Sequence, residues 1–149
     1  MRWSEIGGER CSVARTLSVI GERWTMLVLR EAFMGVRRFE EIQHRTGAAR
    51  PVLSDRLRQL TEAGILRRVR YAEKPDRYEY RLTRKGVDLY PVIVSLMSWG
   101  DQHMDDGNGA PVRLTHRDCE GELSPTLSCG TCGRPVTAHD VRATTSEHR

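Results

Sequence analysis

The stretch from Phe39 to Trp99 constrains the fold more than any other part of this 149-residue chain. Leu53, Leu57, Leu60 and Gly64 recur at i, i+4, i+7 and i+11, which lines one side of a short helix with apolar or small residues. The opposite side carries Asp55, Arg58 and Gln59. Gly64 stops the helix. Ile65 to Tyr71 and Tyr78 to Leu82 then read as strands, joined by the turn-prone Lys74-Pro75-Asp76. Ahead of them, Phe39-Glu40-Glu41-Ile42 opens an earlier helix that ends at Thr46-Gly47, and Ala48 to Arg50 form a tight turn. The order is helix, turn, helix, glycine, charged hairpin, helix.

That layout is a winged helix-turn-helix, a unit that sets one helix in the DNA major groove and lays its β-wing along the backbone. Charge agrees and localises the reading. The chain has 24 Lys+Arg against 20 Asp+Glu, a net charge of +4. Between Arg37 and Lys85 stand 14 basic and 7 acidic residues, so the whole positive excess lies in the proposed DNA-binding segment. Phosphate neutralisation by Lys and Arg is the main sequence-independent contribution to DNA affinity, which makes placement more telling than the total. A merely solvated basic surface would give the same count, but not the helix-hairpin pattern beside it.

The rest of the chain fits around this unit. Val13, Leu17 and Ile20 mark an amphipathic helix from Ser12 to Ile20, with Ser12 as its cap and Gly21 as its break. Trp24 to Phe33 is nearly apolar all round (Trp24, Met26, Leu27, Val28, Leu29), so it belongs in the middle of the domain. Arg84-Lys85-Gly86 closes the wing. Val87 to Met104 is a long helical pattern whose first turn Pro91 should separate or kink. Gly107-Asn108-Gly109-Ala110-Pro111 is a linker by composition. Beyond it the helical period vanishes, and Val112 to Val136 reads as short strands around cysteine pairs. The polar end, Arg142 to Arg149, should fray. The expected organisation is a mainly α domain with a small β-wing over 1–107, for DNA binding and dimerisation, and a small zinc-ribbon-like tail over 108–149.

Two Phe and three Trp make a thin core for an isolated monomer, so the terminal helices are expected to be buried by a partner subunit. Arg30 interrupts the longest helix candidate, and no apolar stretch approaches the length of a membrane span. The polar first ten residues do not resemble a signal peptide, which favours the cytoplasm. In that reducing compartment four cysteines suit metal or redox roles better than structural disulfides.

The chain resembles the HxlR-type winged helix-turn-helix regulators, bacterial transcription factors related in fold to the MarR group. The matching pieces run from Cys11 to Gly100: Gly21-Glu22-Arg23-Trp24-Thr25, Arg38-Phe39-Glu40-Glu41-Ile42, Leu53 to Leu60, Gly64-Ile65-Leu66, Tyr78 to Thr83, Gly86 and Trp99-Gly100. The resemblance implies a homodimer built from the N- and C-terminal helices, binding a pseudo-palindromic operator, often near its own or a divergent gene; repressor is the expected role, with activation the open alternative. Pro51 departs from the family's usual turn, yet proline is well tolerated at a first helical position.

On a helix starting at Pro51, the face opposite the leucine stripe is free for DNA. Arg50, Val52, Asp55 and Gln59 are the candidates for base or near-base contact, with Arg suited to guanine and Gln to adenine. Ser54, Arg56 and Arg58 suit phosphates on the groove walls. Arg37 and Arg38, which lead into the first helix, are further candidates for DNA contact. Lys74 and Arg77 at the wing tip suit phosphate or the minor groove. The competing reading has Asp55–Gln59 and Arg58–Glu62 paired along the helix. Tyr78 and Tyr80 are expected to pack the wing rather than to stack on bases.

Cys11 stands just ahead of a helix with Arg10 and Arg15 near it, a setting that favours a thiolate. The resemblance adds a role as sensor of an oxidant or small electrophile; the alternative is a small residue at the dimer seam. In the tail, His116-x-x-Cys119 and Cys129-x-x-Cys132-Gly133 form two ligand pairs with zinc-ribbon spacing, so His116, Cys119, Cys129 and Cys132 are candidate ligands of a structural Zn²⁺. Gly133 supplies the backbone freedom such a turn needs. His139 could replace His116, and a Cys129–Cys132 disulfide or an emptied ribbon held by Leu114, Leu123, Leu127 and Val136 are the alternatives.

No Ser-His-Asp grouping, carboxylate pair or Gly-rich phosphate loop stands in a context that would suit an enzyme. The remaining alternative is an RNA-binding or general protein-interaction module built on the ribbon. It would need a basic excess near Cys119 to Cys132, and that segment is close to neutral.

Overall fold

The computed structural model describes residues 3–8 and 10–144. They form two compact units, 1–93 and 94–149. The division falls inside the last long helix and not at the Gly107–Pro111 linker. After a 3₁₀ turn over Trp3–Gly8 come α1 (Ser12–Ile20), α2 (Arg23–Phe33), α3 (Phe39–Thr46), α4 (Arg50–Glu62), β1 (Leu66–Glu73), β2 (Asp76–Leu82), α5 (Arg84–Val87) and α6 (Tyr90–His103). The described residues are mainly helical with one small two-stranded antiparallel sheet, the arrangement of a winged helix-turn-helix. No helix of the described residues is long and apolar enough to cross a membrane.

In the first unit α2 lies centrally, packed against α3, α4 and β2. Its buried face is Thr25, Val28, Leu29 and Glu31, so it is less apolar inside than its composition suggested. Glu22 caps it, accepting from the amides of Trp24 (2.8 Å) and Thr25 (3.2 Å). On α4, Leu53, Leu57 and Leu60 are at most 1% exposed and join Val28, Leu29, Ile42, Ile65 and Leu66 in the core. Burying each such side chain contributes about 1.5–3 kcal/mol. The leucine stripe therefore fixes which face of α4 turns outward.

A three-residue turn, Gly47 to Ala49, separates α3 from α4, with Gly47 in the left-handed conformation. The helix begins one residue earlier than the position of Pro51 indicated. The wing pairs Leu66 with Leu82 and Glu73 with Asp76, with an irregularity between Arg70 and Ala72. Its strands extend further toward the tip than the apolar pattern suggested.

Two local expectations are corrected. Ser12 does not cap α1: it is already the first helical residue, and Cys11 holds the cap position without a side-chain cap bond. Arg84-Lys85-Gly86 is a helical turn, α5, capped by the Thr83 hydroxyl, which accepts from Gly86 N at 3.1 Å. Gly86 is required by contact, because a Cβ there would lie 2.2 Å from the Ile65 carbonyl oxygen. As Pro91 suggested, the first turn is separate and α6 starts afresh at Tyr90.

In the second unit, isolated bridges join Thr115 to Glu122 and Ser128 to Pro135. These are two short loops, each around one of the expected ligand pairs. Residues 142–144 are exposed and irregular; the rest of the end expected to fray, 145–149, lies outside the described residues.

Candidate nucleic-acid interface

The outward face of α4 is an internally paired polar network. Asp55 is its hub: one carboxylate oxygen accepts from Arg58 Nη2 at 2.7 Å, the other from Arg56 Nη2 at 2.5 Å and Gln59 Nε2 at 2.9 Å. The Arg58 hydrogen bond, with the charge of both arginines beside it, outweighs partial burial and holds the Asp55 carboxyl below the usual aspartate value. Arg58 also clamps both oxygens of Glu62 at 2.8 Å. Arg50 pairs with Glu40 at 2.9 Å and lies over the Phe39 ring. The Asp55–Gln59 and Arg58–Glu62 pairs foreseen as the competing reading thus form in the unbound chain. Exposed pairs of this kind are weak, which leaves these side chains free to exchange partners.

Ser54 is exposed and Val52 half-buried on the same helix. Arg56 is the exception on α4. Its side chain is 21% exposed and turns toward Glu22 at the start of α2, 4.0 Å away, and its Nε is buried without a hydrogen-bond partner. Among the candidates for phosphate contact, it is the one most drawn into the fold.

The remaining candidates lie between α3 and the wing. The Arg37 carbonyl accepts from Tyr80 N at 2.8 Å, which fastens the start of the helix-turn-helix to β2. Arg38 stacks on Tyr71, 4.5 Å above its ring. Together with Phe39, Glu40, Glu41, Arg77 and Tyr78 they line a cleft between helix and wing. Arg37, Lys74 and Arg77 are exposed and have no ion-pair partner among the described residues, so their charge is available to phosphates. Tyr78 and Tyr80 are half-buried, and Glu79, paired with Arg81, is buried at 8% exposure, a charged residue that joins Leu66 as a buried position of the wing strands.

The structure adds residues the sequence reading passed over. Arg67, Arg68 and Arg70 are exposed on β1; Arg68 lies 3.6 Å over the Tyr78 ring and Arg70 pairs with Glu73 and Asp76. The run Arg67-Arg68-Val69-Arg70 was the available signal. Glu31 is the second omission. It is 2% exposed, takes Arg30 Nε at 2.8 Å and Arg45 Nε at 2.5 Å, and so ties α2 to α3.

This geometry is matched by known proteins. The family model for the HxlR-like helix-turn-helix covers residues 19–108. An uncharacterized HTH-type transcriptional regulator of Mycobacterium tuberculosis is 49% identical over 130 residues, spanning 87% of this chain and 82% of its own.

The chain belongs to the HxlR-like family.

It is an HxlR-like transcriptional regulator with a DNA-binding helix-turn-helix. The crystal structure of the candidate transcription factor PA1607 superposes with a TM-score of 0.83 at 38% identity, covering 94% of this chain and 98% of its own. The redox regulator HypR in its oxidized form gives 0.60 at 32% identity over 64% of this chain and 99% of its own. The relatives named as transcriptional regulators point to a non-enzymatic role.

Outside the basic face lie the four cysteines, all free thiols. Cys11 is exposed at the start of α1, its carbonyl accepting from Arg15 N at 3.0 Å. His116 Nδ1 lies 3.3 Å from Cys119 Sγ. Backbone amides of Cys132 and Thr131, then the Cys132 thiol, bond to the Cys129 sulfur and hold its pKa below the usual thiol value. Each pair is formed, but among the described residues no three His, Cys, Asp or Glu side chains are gathered into a metal-holding group.

Proposed function

We propose that this HxlR-like regulator binds double-stranded DNA as a homodimer, with α4 in the major groove and the β1–β2 wing on the flanking backbone, at a pseudo-palindromic operator where it represses transcription in the cytoplasm. The observation that carries the reading is the sorting of cations on one unit. Among the described residues Arg37, Lys74 and Arg77 have no ion-pair partner, and they stand beside the cleft and wing, where phosphates would lie. Arg50, Arg58 and Gln59 are held in order by Glu40, Asp55 and Glu62 on the outward face of α4, where base edges would lie.

The dimer rests on exposed apolar side chains. On α1 these are Val13, Leu17 and Val19; on α6 they are Val92, Leu96 and Trp99, the last 59% exposed. Such residues are costly to leave in water and mark a partner surface. Two α4 helices in a two-fold dimer would then address successive major grooves about 34 Å apart. Cys11, exposed on α1, is the residue through which an oxidant or small electrophile would act, and the redox regulator HypR among the structural relatives supports that assignment. An RNA-binding or interaction role for the tail is not favoured.

Titration of a fluorescent operator fragment tests the reading. Arg58→Ala combined with Lys74→Ala should weaken binding at least tenfold while leaving the helical signal of the protein unchanged. Unchanged affinity in a folded double variant would overturn the assignment of this face.

A further inference from the structure

The tail is built from one loop used twice. His116 N donates to the Gly121 carbonyl at 2.8 Å, and Cys129 N to that of Arg134 at 2.9 Å. Glu120 N donates to His116 O at 2.8 Å, and Gly133 N to Cys129 O at 2.9 Å. Leu123 N donates to Leu114 O at 2.8 Å, and Val136 N to Leu127 O at 2.9 Å. The Thr115–Glu122 bridge has its counterpart in Ser128–Pro135. Every member of the first loop recurs thirteen positions later in the second. In this alignment His116 matches Cys129, Cys119 matches Cys132, and Glu120 matches Gly133.

The backbone agrees at the turn itself. Glu120 has φ 56° and Gly133 φ 71°, both left-handed. Glu120 is the only non-glycine residue with positive φ among the described residues, a conformation that costs an ordinary side chain about 1–2 kcal/mol. The first loop keeps the shape of the second despite that cost. In both, the conserved shape places two metal-binding side chains at the mouth of the turn. In the second loop Cys129 and Cys132 flank the turn that Gly133 N closes by donating to the Cys129 carbonyl at 2.9 Å. In the first, His116 turns Nδ1 toward Cys119 Sγ and has Nε2 3.7 Å from the Asp118 carboxylate. A histidine with one nitrogen toward a thiol and the other toward a carboxylate is oriented as metal-binding histidines are.

Apolar burial does not account for these loops. From Pro111 to Thr144 no side chain is fully buried, and Leu127 is 75% exposed. A segment of this size without a core needs a staple. With all four cysteines free, disulfides do not supply it.

We propose that the two loops are the halves of one structural Zn²⁺ site, with ligands His116, Cys119, Cys129 and Cys132, and that the ion draws the two preformed pairs together. Three thiolates and one imidazole complete a four-coordinate sphere, so no position is left for water or substrate and the role is structural. Zinc binding releases the protons of the ligating thiols and couples the order of the tail to the metal.

The test uses the full chain, purified reduced and without chelator. Elemental analysis should find about one zinc per chain. Cobalt(II) substituted for zinc should give thiolate-to-cobalt charge transfer and tetrahedral d–d bands. Cys129→Ala with Cys132→Ala should abolish both. His116→Cys should retain the ion and strengthen the charge-transfer band by about one thiolate in three, a gain that a folding defect cannot mimic. Reduced protein that carries no zinc and gives no tetrahedral cobalt spectrum would overturn the proposal. So would zinc retained in the double alanine variant, since the ion would then be held elsewhere.

Discussion

Glu31→Gln is the perturbation with the clearest expected size. Glu31 is 2% exposed and joins α2 to α3 through Arg45 at 2.5 Å, while Arg30 Nε holds its other oxygen at 2.8 Å. Glutamine keeps the volume but loses the charge, and its amide turns a donor toward guanidinium donors. Hydrogen bonds to charged groups contribute about 1.5–3 kcal/mol each. Both arginines are 39% exposed and regain water in the variant, so about 2–3 kcal/mol of lost stability is expected rather than the full sum of two bonds. At a urea dependence of about 2 kcal/mol per molar, the unfolding midpoint falls by about 1–1.5 M. Both proteins must be compared at one concentration, because the proposed dimerisation would add to apparent stability. The pH dependence gives a second reading. Burial alone would raise the Glu31 pKa, but hydrogen bonds from Arg45 and Arg30 and their charges outweigh it, and the folded value is lowered. A lowered folded value means stability that is fully present above the ordinary glutamate pKa and lost as pH falls through the folded one. The gap between parent and variant should therefore be constant above about pH 5 and close in acid. A midpoint shift below about 0.3 M, or a gap that does not change with pH, would refute this role for Glu31.

Other outcomes follow from the same geometry. Lys74→Ala should weaken binding to all DNA sequences and lower the slope of log K against log salt by about 0.9 per lost phosphate contact, so by about two in a dimer; an unchanged slope in a titration series would remove Lys74 from the backbone contacts. Gln59→Ala should flatten preference at particular base pairs by about 1–3 kcal/mol, read by competition with single-base operator variants, and uniform weakening at every position would instead make it a backbone contact. Cys11→Ser should hold DNA in oxidant that releases the parent, and equal release of both proteins would rule out Cys11 as the sensor.

The winged helix-turn-helix was legible because its signals are local. The Leu53-Leu57-Leu60 stripe, Gly47, Gly64 and the Lys74-Pro75-Asp76 turn each act within a few residues, and α1 and α3 lie where their periodicity put them. What the sequence hid depends on partners distant in the chain. Arg56 reads as a surface arginine on α4, but Glu22 at the start of α2 draws it inward. Glu31, next to Arg30 on α2, and Glu79, between two tyrosines on β2, read as solvent-facing carboxylates, yet Arg45 and Arg81 allow their burial. The division of the chain inside α6 was hidden for the opposite reason, since the helical pattern continues across it without a break. The doubling of the tail loop shows only faintly in its residues, because Glu120 stands where Gly133 does and His116 where Cys129 does. The backbone hydrogen bonds make it plain.

As proposed above, this HxlR-like regulator reads a two-fold operator through paired α4 helices. Selection of bound genomic DNA fragments by the purified protein, followed by footprinting of the enriched sequences, tests it most directly. The expected result is an inverted repeat whose two protected half-sites lie one DNA turn, about 34 Å, apart on the same face of the duplex. Enrichment of no sequence over bulk DNA, or protection of a single asymmetric site by one protomer, would contradict it.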